Sequence, residues 1–219
     1  MKNIVYGFVA SALLLTSVNA HDIWVEKNDK NQAQIFFGEF ADNEKEGAKF
    51  LDRIKAETFY PQGIVKDVKR AENSIDLTLT KNSDLMLVEA GEPRVNKNTN
   101  EATRKISYAK SGREGTTALA NFDLVPVEKN SNTFKLILDE KALAKTKITV
   151  ISPTKWEKSF FTNEQGEVTI TTPWKGTYLI EARSEDLTKG EVAGKAYDKT
   201  INALTYSINV EQGIAWEDK

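Results

Sequence analysis

TNEQGEVTITTPWKGTYLIEA, residues 162–182, is the stretch that best indicates how this chain folds. It contains a turn in which Gly166 can adopt a positive φ, then a short run of alternating apolar and polar residues. A second turn, Pro-Trp-Lys-Gly at 173–176, precedes a further apolar run. Short alternating runs bounded by turn formers are typical of β-strands. We therefore expect hairpin-like units of a small immunoglobulin-like β-sandwich.

Similar runs recur along the chain. Each is four to seven residues long, rich in Val, Ile, Thr, Phe or Tyr, and bounded by turn formers, which predicts a strand. Together with the two runs above, at 167–171 and 177–181, the predicted strands lie at 34–37, 74–79, 85–88, 134–138, 147–151 and 204–210. The composition of these runs predicts an all-β protein.

The first half is less regular. Phe50, Leu51 and Ile54 have the spacing of one buried helical face, so we expect a short helix after Gly47. The polar stretch 91–115 predicts a long loop interrupted by a short strand at 106–108.

The segment EKNSN at 128–132 has no apolar residue and marks the expected domain boundary. We therefore expect a β-rich N-terminal domain with a short helix at 21–130. An immunoglobulin-like β-sandwich domain at 131–219 would follow it.

The first 20 residues have the pattern of a cleavable signal peptide. Lys2 precedes an apolar run at 4–18, and Val18-Asn19-Ala20 places small residues where signal peptidase cleaves. We expect cleavage after Ala20, which would make His21 the N-terminus of a periplasmic protein without stable membrane insertion. The alternative, an uncleaved anchor, is disfavoured because the apolar run is short for a membrane span.

Composition excludes several classes of site. The formal net charge is −2 with both signs interspersed, so no basic surface for nucleic acid is expected. The chain has no cysteine, which excludes disulfides, thiolate metal sites and cysteine nucleophiles. The single histidine lacks a Gly-x-Ser-x-Gly motif to partner it, and no phosphate-binding loop is present, so we expect a protein that is not an enzyme.

His21 is the most informative candidate ligand. After cleavage, its α-amine and its imidazole Nδ1 could together chelate Ni²⁺, Co²⁺, Cu²⁺ or Zn²⁺. Both nitrogens must lose protons to bind, so binding should weaken as the pH falls. A redox copper site is disfavoured because there is no second histidine. The alternative is that His21 merely follows the cleavage site.

Further ligands must be carboxylates, backbone groups or water. The nearest acidic segment, GEFADNEKEG at 38–47, contains Glu39, Asp42, Glu44 and Glu46, and Asp22 adjoins His21. Glu39 and Asp22 are our candidate co-ligands. A solvated acidic loop remains the alternative.

The four tryptophans, Trp24, Trp156, Trp174 and Trp216, could line a binding face, although tryptophans are more often core or rim residues.

Several motifs together resemble a known family. AHDIWVE at 20–26, IFFGEFADNEKEG at 35–47, YAKSG at 108–112, NFDLVPV at 121–127 and ALTYSINV at 203–210 resemble periplasmic nickel/cobalt uptake components. The resemblance covers nearly the whole processed chain and implies an exported all-β protein that ends in an immunoglobulin-like domain. It also implies association with transition-metal import, often alongside an outer-membrane receptor or an ABC-type permease.

Only some residues match the family's motifs. His21 and Trp24 match its His-x-x-Trp, and Gly38 with Glu39 match its Gly-Glu-Phe segment. Many relatives carry a histidine just before the Leu-Val-Pro element, where this chain has Asn121 and Phe122. That departure removes a possible second nitrogen ligand.

Two functions are therefore expected as alternatives. The first is a periplasmic protein that captures or delivers a divalent transition metal ion, nickel or cobalt first, as a free ion or a chelate, through His21. The second is a non-catalytic β-sandwich module that docks to an outer-membrane receptor or permease, with His21 incidental.

Overall fold

The computed structural model describes residues 21–28 and 30–215. The predicted signal peptide and Trp216 lie outside the described residues. Within them the chain is nearly all β with one short helix, so the expected all-β fold class is confirmed. In chain order the elements are β1 (Asp22–Lys27), β2 (Gln32–Glu39), β3 (Glu44–Lys45), α1 (Ala48–Leu51), β4 (Phe59–Tyr60), β5 (Val65–Arg70), β6 (Ile75–Leu79), β7 (Leu85–Ala90), β8 (Arg94–Val95), β9 (Ala102–Ser111), β10 (Phe122–Pro126), β11 (Thr133–Leu138), β12 (Lys141–Ala142), β13 (Lys147–Ile151), β14 (Glu157–Phe161), β15 (Glu167–Thr169), β16 (Gly176–Asp186), β17 (Gly190–Val192), β18 (Lys195–Tyr197) and β19 (Lys199–Val210).

The strands form three main sheets. The first sheet has the order β1-β2-β6-β5, with β3 paired to β2. The central sheet has the order β14-β13-β16-β19-β9-β7-β4, with β8 on β9, and the third sheet has the order β10-β11-β12, with β15 on β11. β17 and β18 form a separate two-stranded ribbon.

The central sheet buries apolar side chains on both faces because residues alternate in direction along each strand. On β16, Tyr178 and Ile180 pack toward the third sheet, while Leu179 packs toward the first sheet. On β9, Tyr108 packs toward the third sheet and Ala109 packs toward the first sheet. The central sheet therefore contributes to three hydrophobic clusters, one on the face toward the third sheet and two on the face toward the first sheet.

The first sheet meets the central sheet along the edge of β1. The Thr205 hydroxyl donates to the Ile23 carbonyl at 2.6 Å, and the Ser207 hydroxyl donates to the Val25 carbonyl. These bonds satisfy carbonyl groups that an edge strand would otherwise leave unpaired. They fix the position of β1, and therefore of residue 21, relative to the central sheet.

The eight strands predicted from sequence each overlap an observed strand, and the short helix after Gly47 is confirmed. The predicted loop at 91–115 is wrong in its second part, because β9 is a ten-residue strand that pairs in parallel with β19.

The expected hairpin between 167–171 and 177–181 is also wrong. β15 pairs with β11 of the third sheet, whereas β16 pairs with β13 and β19 of the central sheet, so the Pro-Trp-Lys-Gly turn crosses between two sheets. Gly166 does adopt a positive φ of 76°.

The expected domain boundary at 128–132 stays a prediction. Strands from both sides of it nevertheless share the central sheet: β4, β7, β8 and β9 precede the segment, and β13, β14, β16 and β19 follow it.

Candidate metal centre

His21 lies immediately before β1, beside the end of β2. The antiparallel register pairs Asp22 with Gly38, which places the His21 ring 5.5 Å from the ring of Phe37. Phe37 in turn stacks on Phe50 of α1. The imidazole therefore packs beside the Phe37 ring, and the His21 side chain is 33% exposed.

A tight hairpin between β2 and β3 brings carboxylates to this imidazole. Gly38 has φ 149°, and a Cβ placed on it would lie 2.1 Å from the Glu44 carbonyl oxygen. Only glycine allows β3 to pass this close. The Glu46 amide then donates to the Phe37 carbonyl at 2.8 Å, so the hairpin fixes the backbone of both glutamates.

His21, Glu44 and Glu46 form a compact group. The three side chains each offer a ligand atom, and these atoms lie within 4.8 Å of one another. His21 Nε2 lies at ion-pair distance, 2.7 Å, from Glu46 Oε1, and it makes no hydrogen bond among the described residues. One neutral imidazole and two carboxylates would balance the charge of a divalent cation.

The distances suit a small cation after a slight opening of the group. A tetrahedral ion with Zn–N and Zn–O bonds of about 2.0–2.2 Å separates its ligand atoms by more than 3 Å. The 2.7 Å contact between Nε2 and Oε1 would therefore lengthen by about 0.7 Å. Both side chains are partly exposed, so such a movement meets little resistance, and water can occupy the remaining coordination positions.

Glu39 lies at the margin of this group and increases its negative charge. It pairs across the strands with Glu44, and directly opposed like charges destabilise a sheet. Desolvation, followed by the charges of Asp42 and Glu44, raises the pKa of Glu39, while His21 lowers it. A bound cation would relieve this repulsion.

Asp22 is not part of this group. Its carboxylate forms ion pairs with Lys105 of β9 at 3.0 Å and with Arg183 of β16 at 3.2 Å. Nearby, partial burial and, next, the charge of Asp22 raise the pKa of Glu181 to about 7, although Arg183 and Lys105 oppose this. Asp22 thus contributes to the contact between the first and central sheets.

The hairpin is held to the rest of the molecule by aromatic contacts. Trp24 is buried and packs against Phe36 and Phe40. Lys155 donates to the Phe40 carbonyl at 2.7 Å and lies over the Phe40 ring. These contacts keep the acidic segment at 38–47 next to β1.

The arrangement of candidate ligands in the structure therefore differs from the one expected from the sequence. His21 is central, Glu39 is adjacent, and Asp22 is engaged elsewhere. Glu44 and Glu46, which the sequence placed only within an acidic segment, are the carboxylates that form a group with the imidazole. Gly38 was the available signal, because a glycine at a strand end permits the sharp return that brings them there.

Comparison of the chain with protein-family models, curated proteins and solved structures finds no match. Among residues 21–28 and 30–215, no helix has the length and apolarity needed to cross a membrane.

Proposed function

We propose that this protein binds a divalent transition metal ion between the His21 imidazole and the carboxylates of Glu44 and Glu46, and that it captures or delivers this ion during metal uptake in the periplasm. The observation that supports the proposal is the convergence of the His21 imidazole with two carboxylates, whose ligand atoms lie within 4.8 Å of one another.

The ligand set favours particular ions. One nitrogen and two carboxylates suit borderline ions such as Ni²⁺, Co²⁺ and Zn²⁺, and lack the soft sulfur ligands that Cu(I) requires. An exposed site with several water ligands exchanges its ion readily, which suits transfer more than permanent storage. The resemblance noted above makes nickel and cobalt the first choices as cargo.

Calorimetric titration of Ni²⁺, Co²⁺, Zn²⁺ and Cu²⁺ into the chain beginning at His21 tests the proposal. We expect one ion per chain, no stoichiometric binding by His21→Ala, and an affinity for Glu46→Gln that falls by about 10–100-fold. Asp42→Asn is the matched control, because it removes an acid from the same turn but outside the group. Unchanged binding by His21→Ala would refute the proposal.

A chain with one extra residue before His21 separates two modes of binding. Nε2 coordination with Glu44 and Glu46 predicts that the extension leaves the affinity unchanged. Loss of binding would instead assign the ion to the α-amine and Nδ1, with Glu46 orienting the ring through Nε2.

The docking function stays a second candidate because of one exposed apolar surface. Trp156, which is 51% exposed, lies 6.1 Å from Trp174 between ring centroids, and Trp174 pairs with the exposed Ile214. Exposed tryptophans are common at protein interfaces. Under this alternative, an envelope partner would be retained in chelator and lost in Trp156→Ala. Loss of the partner in chelator alone would favour the metal proposal.

A further inference from the structure

Lys110 and Asp123 form a buried pair that the metal site does not involve. Lys110 on β9 is 1% exposed and Asp123 on β10 is fully buried, with Lys110 Nζ 2.7 Å from Asp123 Oδ1. The pair connects the central sheet to the third sheet. Burying two charges often costs more free energy than their mutual attraction returns, so removing both charges would relieve that cost.

We propose that Lys110 and Asp123 condense to form an intramolecular isopeptide bond. Such a bond would be a covalent link between two sheets in a chain that has no cysteine.

The contacts orient the two groups for this reaction. Lys110 Nζ also donates to the Leu124 carbonyl at 3.1 Å, which fixes the amine, and it lies 4.9 Å from the centre of the Tyr206 ring. The amide of Leu119 donates to Asp123 Oδ2 at 2.9 Å and polarises the carboxyl group. Groups held at this separation react as if at very high concentration.

The reaction balances without another reagent. A proton first moves from the Lys110 ammonium to Asp123 Oδ1, giving a neutral amine and a carboxylic acid. The amine nitrogen then attacks the carboxyl carbon, the bond from that carbon to Oδ1 breaks, and Oδ1 leaves as water with a second proton from nitrogen. The remaining proton stays on the new amide.

Burial supports the first step. Desolvation raises the pKa of the Asp123 carboxyl, although Lys110 and the backbone amides oppose this. Among residues 21–28 and 30–215, no second carboxylate is hydrogen-bonded to the pair, so the proton must move within it. We therefore expect slow formation of the bond in the folded protein.

Mass spectrometry of the wild-type chain, incubated under native conditions, tests the proposal. We expect a species lighter by one water molecule, whose fraction increases with time. After trypsin digestion, this species should yield peptide 106–113 joined to peptide 114–129. An unchanged mass after prolonged incubation, with peptides 106–110 and 114–129 recovered separately, would overturn the proposal.

Two variants identify the reacting groups. Lys110→Arg keeps a buried cation but cannot form this amide, so it should retain its full mass. Asp123→Asn should lose ammonia in place of water because the leaving group has changed. Loss of water by Lys110→Arg would show dehydration elsewhere and would count against the bond, and the wild-type peptides decide the question if either variant fails to fold.

Discussion

The two faces of the central sheet bury different chemistry. The face toward the third sheet covers a continuous apolar core that includes Phe134, Tyr178 and Tyr206, with Lys110 and Asp123 as its buried charges. The face toward the first sheet combines apolar packing with hydroxyl groups that bond to the edge of β1 and with ion pairs around Asp22.

The two faces therefore have different effects: one mainly stabilises the fold, and the other mainly fixes the position of β1. Apolar burial is non-directional, so the core under the third sheet stabilises the fold without fixing one precise arrangement. Hydrogen bonds and ion pairs are directional, so the contacts of β1 determine where His21 lies. The candidate metal centre is found at the end of the more polar interface, where small changes in position alter its geometry.

Truncation in the apolar core should have the largest effect on stability. Phe134 is fully buried and packs edge-on against Tyr206, so Phe134→Ala should lower the free energy of unfolding by about 3–5 kcal/mol. Denaturant titration measures this change. Phe161→Ala is the control, because its ring is 64% exposed, and it should change the free energy by about 0.5 kcal/mol or less. Equal losses in both variants would contradict the assigned core.

Substitution of Gly38 should affect both stability and the metal site. Gly38→Ala places a methyl group against the Glu44 carbonyl in a backbone conformation that suits glycine, at a cost of about 1–3 kcal/mol. We expect weaker metal binding in a folded protein, measured by calorimetry with circular dichroism as the check on folding. Gly47→Ala, where the nearest atom is 3.7 Å from the added carbon, should change neither property.

The raised pKa of Glu181, about 7, predicts a pH dependence of stability. Between the unfolded value of 4.5 and about 7, the folded state keeps a proton that the unfolded state releases, so stability falls as the pH rises through this window. Glu181→Gln should remove this fall, stabilising the protein above the window by about 2 kcal/mol and leaving stability below the window nearly unchanged. Denaturant titrations at several pH values measure it, and parallel curves for both proteins would contradict the assignment.

Loss of the Thr205 hydroxyl should have the smallest effect. Thr205→Val keeps the shape of the side chain but leaves the Ile23 carbonyl without this donor, which should cost about 1 kcal/mol. Relative to the unsubstituted protein, Thr205→Val should accelerate the hydrogen exchange of backbone amides in β1 more than in β11. An effect spread evenly over both strands would show that this bond does not specifically hold the first sheet.

Much of the fold could be predicted from local pattern. Strands with clear alternation, such as β13, were recognised because one side of each run is apolar. β9 was largely missed because its sequence, ATRKISYAKS, has few apolar residues and directs Lys110 into the core. The burial of Lys110 depends on its ion pair with Asp123 of β10. The residue pattern of β9 alone does not reveal a partner on another strand.

Strand pairing and the exact ligands could not be predicted in the same way. β15 and β16 are neighbours in sequence but belong to different sheets, because their partners are distant in the chain. Likewise, the partners of Asp22 are Lys105 and Arg183, so its orientation depends on the packing of the first sheet. His21 could be selected from sequence because it is the only histidine.

Anomalous diffraction from metal-loaded crystals of the chain beginning at His21 tests the central claim most directly. At the absorption edge of nickel, cobalt or zinc, the proposal predicts a peak bonded to His21 Nε2 and to carboxylate oxygens of Glu44 and Glu46. A peak bonded to other residues, or no peak in this region from protein loaded with one ion per chain, would contradict it.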